Sequence, residues 1–343
     1  MQKLAIILFA LVITVAVRAQ SDKEPYLTKS LSKEAIKDVY ARTSGGGITV
    51  SGVSDSEARI EVYVKGNNGN DLSKDEIKRR LDEDYDLEVI ASGGKLTAIA
   101  KTKTFNLNWK RSLSISFKVY VPKNVSTDLN TSGGGITLSN LAGNQNFSTS
   151  GGGLNLDKLS GRINGKTSGG SIKLRDSKDD IDLSTSGGSI DADNCGGNIE
   201  LSTSGGSITL NSLKGTVFAK TSGGTIRGTG INGSLEAHTS GGSVNLKQIS
   251  GSIDASTSGG SMDIEIDQID KFVTASNSGG NIHLTLPADK GLNLRLHGER
   301  IRVESLSNFN GDQDDHNLNG KMNGGGAEVN VKTSGSITLA FNK

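Results

Sequence analysis

Asp182 and Glu200 are carboxylates that stand 18 residues apart, at the same position of two consecutive copies of a short repeat. If the copies stack, the two side chains lie side by side on neighbouring strands. Like charges in that arrangement repel each other unless a cation or a polar ligand lies between them. Asp180 lies close by in the sequence. The spacing therefore predicts a weak Ca²⁺ site or a polar ligand surface, with a plain solvated sheet face as the simpler alternative.

The candidate surface continues along the same position of the following copies. Phe218 adds an aromatic side chain that could contact a sugar or a protein, although a lone apolar residue on a surface is common. We call the whole set the acidic row: Asp180, Asp182, Glu200, Phe218, Glu236 and Asp254.

Nucleophilic or metal-assisted catalysis finds less support in the sequence. The only cysteine, Cys195, occupies a repeat position where other copies have Leu or Ile, so we expect a buried core residue. The histidines show neither triad nor zinc spacing; they are His238, His283, His297 and His316. A glycan-active enzyme would need a carboxylate cluster in a cleft between long loops, and the short repeats leave little room for one. We therefore predict a protein that is not an enzyme and has no cofactor or dedicated metal site.

The elements that must position the acidic row are set by a Thr-Ser-Gly-Gly motif. Each copy divides into two nine-residue halves, and each half reads as a turn followed by an apolar–polar–apolar alternation, which is typical of a strand with one face inward. The motif begins at Thr131, Thr149, Thr167, Thr185, Thr203, Thr221, Thr239 and Thr257.

A fixed period of this kind indicates stacked repeats. We predict an all-β fold, a parallel β-solenoid with 18-residue coils about 4.8 Å apart. The repeated Thr should point inward as a ladder, and the Gly-Gly pairs should form tight corners that require positive φ. We also expect a register slip of two residues after the eighth copy, at Asn277.

The flanking segments suggest a capped rod. We expect a helix over residues 74–83 and a strand pair over 85–91 and 95–103, in an insertion that covers the N-terminal end or serves as a docking element. The predicted organisation is: signal peptide 1–19; N-terminal coil and cap 20–130, with the insertion 66–111; regular repeats 131–286; irregular C-terminal capping coils 287–343, with a mobile loop over 305–326.

The composition restricts the classes of partner that we expect for this protein. The formal net charge is +1 and no basic cluster stands out, so nucleic acid is not expected as a partner. The N-terminus, with Lys3, the apolar run Leu4–Val17 and Ala19, predicts a secretory signal peptide that is cleaved after Ala19, with a retained N-terminal anchor as the alternative. No later segment is long and apolar enough for a membrane span, so we expect no integral membrane segment after cleavage.

The signal peptide, the strand Val119–Lys123 and the Asn130–Ile136 run with its repeats resemble the bacterial putative adhesin family of secreted β-strand-repeat proteins, which is similar to head-domain β-helix proteins. The resemblance covers roughly residues 36–343. It implies a right-handed parallel β-helix and no established catalytic residues, so no site residue is transferred from it.

These observations predict an exported, non-catalytic protein of the cell envelope that presents a surface to an unidentified protein or glycan. The alternative is a periplasmic scaffold or envelope-stress component acting through residues 66–111, and the third interpretation is a glycan-active enzyme. The predicted location is the periplasm, the outer-membrane surface or the extracellular space.

Overall fold

The structure is a computed structural model that describes residues 24–67, 72–104, 108 and 110–342. The predicted signal peptide 1–19 therefore lies outside the described residues. Over these ranges the protein is all-β, with one α-helix and one short 3₁₀ turn at Asp55–Glu57. Within the described ranges, no helix is long and apolar enough to cross a membrane.

The N-terminal part contains seven strands and the helix within the described residues. Their bounds are β1 Leu27–Ser30, β2 Asp38–Thr43, β3 Ile48–Val53, β4 Arg59–Gly66, α1 Lys74–Asp84, β5 Tyr85–Ser92, β6 Lys95–Thr102 and β7 Leu113–Pro122. The predicted helix and strand pair are confirmed to within one residue at each end.

The repeats form the next thirteen strands. Their bounds are β8 Ser126–Thr131, β9 Ile136–Thr149, β10 Leu154–Thr167, β11 Ile172–Arg175, β12 Lys178–Thr185, β13 Ile190–Asp193, β14 Gly196–Thr203, β15 Ile208–Asn211, β16 Lys214–Thr221, β17 Ile226–His238, β18 Val244–Thr257, β19 Met262–Asn277 and β20 Ile282–Pro287. The C-terminal part adds β21 Leu292–His297, β22 Arg300–Val303, β23 Phe309–Gln313, β24 Asn317–Met322, β25 Ala327–Thr333 and β26 Ser336–Asn342.

Consecutive repeats pair in parallel, each residue beside the one 18 positions later, as in Ile172 with Ile190 and Leu183 with Leu201. These four apolar side chains are almost completely buried, so each repeat adds one layer to a continuous apolar core. The register slip predicted at Asn277 is confirmed, because Asn277 pairs with Thr257.

The Thr of each motif is buried, as predicted, and it also bridges two repeats. Thr203 donates its hydroxyl to the carbonyl oxygen of Gly188 at 2.8 Å and accepts from the backbone N–H of Gly206 at 3.3 Å. The same contacts recur along the Thr ladder, whose members include Thr43 at one end and Thr333 at the other. Asn277 replaces Thr in this ladder, and its amide donates to Gly260.

The reason predicted for the Gly-Gly pairs is wrong in part. Neither glycine of the motif adopts a positive φ. A Cβ on Gly206 would instead lie 2.0 Å from the carbonyl oxygen of Gly188, so the space between repeats is what requires glycine there. Left-handed backbone occurs instead in the other half of the repeat, as at Asn194 (φ 52°) and Gly197 (φ 105°).

The N-terminal part extends both sets of strands beyond the first repeat, and the insertion 66–111 contributes β6 to one of them. β2 pairs with β8 on one side and β6 on the other, while β3 pairs with β9 and β7. α1 begins after Ser73, whose hydroxyl accepts from the backbone N–H of Glu76. The Glu76 carboxylate contacts Arg79 and Arg80.

The prediction of an irregular loop over residues 305–326 is wrong, because this range contains two paired strands. β23 and β24 form an antiparallel pair there, and β24 also pairs with β21. Asp314 closes the connection by accepting from the backbone N–H groups of His316 and Asn317, both at 2.7 Å. Polar composition concealed this hairpin because its only deeply buried apolar side chains are Leu318 and Met322.

Candidate binding surface

The acidic row lies on one sheet face of the repeats, in the register that the sequence predicts. Asp182 pairs with Glu200, Glu200 with Phe218, Phe218 with Glu236, and Glu236 with Asp254. Since the alternate residues of each strand fill the core, the row side chains point outward. Asp182, Glu200 and Glu236 are exposed, while Asp254 is half-buried.

Asp180 is also exposed and occupies a parallel column beside the row. Its carboxylate accepts a hydrogen bond from the side-chain amide of Asn198 at 3.0 Å. This bond orients one carboxylate oxygen and leaves Asp182 and Glu200 as the like-charged neighbours.

Phe218 is half-buried, in contrast to the exposed aromatic that the sequence predicts. Its ring centroid lies 5.8 Å from that of His238, with the planes inclined at 58°. His238 is held in turn by Ser256, whose hydroxyl lies 2.7 Å from Nδ1. The aromatic side chain therefore contacts a second ring, and in register it lies between Glu200 and Glu236.

A shallow depression of about 410 Å³ covers the N-terminal half of the row. Arg162 lies along its lining at one end and Phe218 at the other, with Asp182 and Glu200 between them. A hydroxyl-bearing ligand could donate hydrogen bonds to these carboxylates and pack on Phe218. Among the described residues, no group of three or more His, Cys, Asp or Glu side chains is arranged to hold a metal ion.

The opposite sheet face has a different charge pattern. Lys173 pairs with Asp191, and Arg175 pairs with Asp193, so the cations of β11 lie opposite the anions of the neighbouring strand β13. Opposite charges on directly paired residues stabilise a solvated face. The acidic row therefore carries the less balanced charge of the two surfaces.

Cys195 is buried, as predicted. Burial raises the pKa of its thiol to about 11, so the group is a neutral thiol at physiological pH. Its sulfur lies 3.2 Å from the carbonyl oxygen of Asp193. The side chain contributes to the core between two strands.

A second concave surface was missed by the sequence reasoning. It is a groove of about 670 Å³ where the Thr ladder meets the C-terminal strands, and its lining includes His297, Glu299, His316 and Lys332. These residues come from separate strands and turns, so their spacing along the chain gives no signal. His238 and His283 do not line this groove.

Comparison with protein-family models and with curated proteins finds no match. Among solved structures, the chain is similar to a putative adhesin from Bacteroides fragilis, with 16% identity over 70% of this chain and 96% of that one, and a TM-score of 0.37. It is also similar to a putative cell adhesion protein from Clostridium sporogenes, with 10% identity over 92% and 98% of the two chains and a TM-score of 0.20. Likeness at this level carries no argument about function.

Proposed function

We propose that the chain is an exported, non-catalytic β-solenoid of the cell envelope, right-handed as the resemblance implies, that binds a glycan or protein through the acidic row. The observation that carries the proposal is the register of that row. Stacked strands hold Asp182, Glu200 and Phe218 at neighbouring positions, with the backbone fixed by ladder hydrogen bonds. A ligand therefore meets groups that are already ordered, which reduces the entropy lost on binding.

The test is direct binding by purified protein lacking residues 1–19. The protein is incubated with immobilised glycans, peptidoglycan and host matrix proteins, and retention is compared with that of a double variant, D182N with E200Q. We expect the double variant to lose about tenfold or more in affinity, because two hydrogen-bond acceptors with full charge are removed.

The matched control is a double variant on the opposite sheet face, K173Q with D191N, which changes one paired cation and anion. We expect binding within twofold of the unmodified protein. Equal losses in both double variants, or no retention on any surface, would overturn the proposal. Product release from a polysaccharide would favour the third, enzymatic interpretation.

The scaffold alternative has an observation of its own. Within the described part of the chain, the large hydrophobic side chains that are exposed are Tyr26, Leu27 and Ile90, and all three belong to the N-terminal part. The scaffold alternative acts through residues 66–111, which contain Ile90, so I90S should abolish capture of the partner while D182N with E200Q does not. Protease treatment of intact cells followed by fractionation separates the two locations.

A further inference from the structure

The groove at the C-terminal end has a floor made by residues that flank the Thr ladder. Ser256 and Ser258 lie on either side of Thr257, Ser276 and Ser278 on either side of Asn277, and Lys332 and Ser334 on either side of Thr333. Paired strands place Ser276 between Ser256 and Lys332. The floor is therefore a field of hydroxyl groups with one cation at its end.

One wall of the groove is formed by the segment that contains Gly298 and Glu299, and it closes the floor at the C-terminal end. The wall is tied by backbone hydrogen bonds from Gly298 to the carbonyl oxygen of His316 at 3.0 Å and from Glu299 to that of Gly335 at 2.9 Å. A further bond joins Ile301 to Asp315. These bonds connect the wall both to the turn after β23 and to the last corner of the Thr ladder.

The orientation of the His297 ring is fixed by a chain of polar contacts. Asp314 accepts from the side-chain amide nitrogen of Asn317 at 3.3 Å, so the amide oxygen faces the His297 Nδ1, 2.8 Å away. An amide oxygen only accepts, so Nδ1 of His297 carries the proton. Hydrogen bonds from the backbone N–H of His316 and from Asn317 hold the pKa of Asp314 below its ordinary value, which keeps this anchor ionised.

The orientation of the His316 ring is fixed in the same way, with the proton on Nδ1. Its Nδ1 lies 2.7 Å from the carbonyl oxygen of Glu299, which can only accept. In both rings Nε2 is then the nitrogen that can contact a ligand, as an acceptor when the ring is neutral and as a donor when it is protonated. Lys332 pairs with His297 in register, and its side chain lines the same groove as the two rings.

This lining fits one class of ligand. Lys332 favours an anionic group, while the serine hydroxyls, the imidazole Nε2 atoms and the Glu299 carboxylate can bond the hydroxyl groups of a sugar. The presence of Lys332 opposes a second cation in the same place. We infer that the groove binds the terminal acidic sugar of a carbohydrate chain, with Lys332 paired to the sugar carboxylate.

The inference does not depend on the acidic row, and its test is a separate titration. Isothermal titration calorimetry compares an oligosaccharide ending in glucuronic acid with the same oligosaccharide ending in glucose. We expect the acidic form to bind at least tenfold more tightly, and K332Q to remove that preference, because a charge-assisted hydrogen bond is lost. H297Q should give a smaller loss.

Lys166 provides the matched control, because it precedes a ladder Thr and pairs with Ser148 and Ser184 but lies far from the wall. K166Q should bind the acidic sugar as the unmodified protein does. Equal affinity for the two sugars, equal losses in K166Q and K332Q, or full competition by inorganic phosphate at the same concentration would each overturn the inference. Unchanged unfolding midpoints show that the variants are folded, and D182N with E200Q should keep this binding.

Discussion

The strands of the N-terminal part and the strands of the repeats are held together by different kinds of contact. The repeats rely on backbone ladders, a buried Thr at each corner and glycines that allow neighbouring chains to approach closely. The N-terminal part uses side chains: Arg111 bridges Glu83 and Asp84 at 2.7 and 2.9 Å, and Arg59 stacks on Tyr120 at 3.8 Å. All five tyrosines precede the first repeat of the Thr-Ser-Gly-Gly series. The comparison indicates that the repeats tolerate substitutions at outward positions but almost none at the corners, whereas the N-terminal part adds contacts that depend on charged and aromatic side chains.

The sharpest way to break this comparison is to add one methyl group at a corner. In G206A the new Cβ would lie 2.0 Å from a backbone oxygen of the preceding repeat, and neither chain can move without disturbing its neighbours. We expect a loss of more than about 3 kcal/mol in the free energy of unfolding, by analogy with severe overpacking, and a larger loss in G206V. Urea unfolding measures it.

Gly205 supplies the control because it is the adjacent Gly of the same motif. A Cβ there would meet the nearest atom at 3.6 Å, an ordinary contact. G205A should therefore stay within about 0.5 kcal/mol of the unmodified protein, as most surface substitutions do. Similar losses in G205A and G206A would show that the corners are not limited by space between repeats. T209V, on an outward position, should likewise be mild.

The next largest effect should come from the Thr ladder. T203V keeps the shape of the side chain but removes the donor to the Gly188 carbonyl and the acceptor for Gly206. We expect a loss of about 1–3 kcal/mol, because buried polar groups lose their partner. T203S keeps the hydroxyl, so it should be more stable than T203V. If T203S were as unstable as T203V, methyl packing and not the hydrogen bond would support the ladder.

In the N-terminal part we expect a smaller effect that depends on salt. Arg111 is half-buried and its ion pairs remain accessible to solvent, so R111A should cost less than T203V. The difference from the unmodified protein should shrink in 1 M NaCl because solvent-accessible ion pairs are screened. Thermal unfolding at low and high salt measures this. A salt-independent loss as large as that of T203V would contradict the comparison.

The ion pairs within α1 give the stability a pH dependence with a defined sign. Hydrogen bonds from Arg80 and then Arg79 lower the pKa of Glu76 below its ordinary value of 4.5. The stabilisation is therefore fully present above pH 4.5 and is lost as the pH falls through the lowered pKa. E76Q should remove this part of the pH profile, whereas G205A should leave it unchanged.

The smallest predicted effect is a gain in stability, at Gln248. Gln248 has a φ of 54°, in the left-handed region that costs a non-glycine residue energy. Gly230 occupies the equivalent position of the preceding repeat with a φ of 67°. Q248G should stabilise the protein by about 0.5 kcal/mol, the strain removed less the entropy of glycine. Differential scanning calorimetry tests it, with G230A as the reciprocal variant that should destabilise.

The periodic residues predicted most of the repeat region, because a fixed spacing converts directly into strand register. The alternation in the first repeat and the helix start at Ser73 were equally readable, since each depends on neighbours in sequence. The acidic row was predicted as a set of neighbours for the same reason, although the partial burial of Phe218 was not, because it depends on the His238 ring one repeat away.

What could not be predicted depends on contacts between distant segments. The groove combines His297, His316 and Lys332, which no spacing relates. The hairpin of β23 and β24 has few apolar residues, so its strands are specified by pairing with β21 and not by a pattern of their own. The steric role of Gly206 also depends on a backbone oxygen of another repeat.

The central claim is that 18 residues form the stacking unit, and removal of one unit tests it most directly. Deleting residues 186–203 joins Thr185 to Ser204 and preserves the motif, the ladder and the register of every remaining repeat. The account predicts a folded protein with an unchanged circular dichroism spectrum shape and a single cooperative transition. Deleting residues 186–202, one fewer, should shift every later side chain to the opposite face and prevent folding. Equal stability of the two deletion variants would contradict the account.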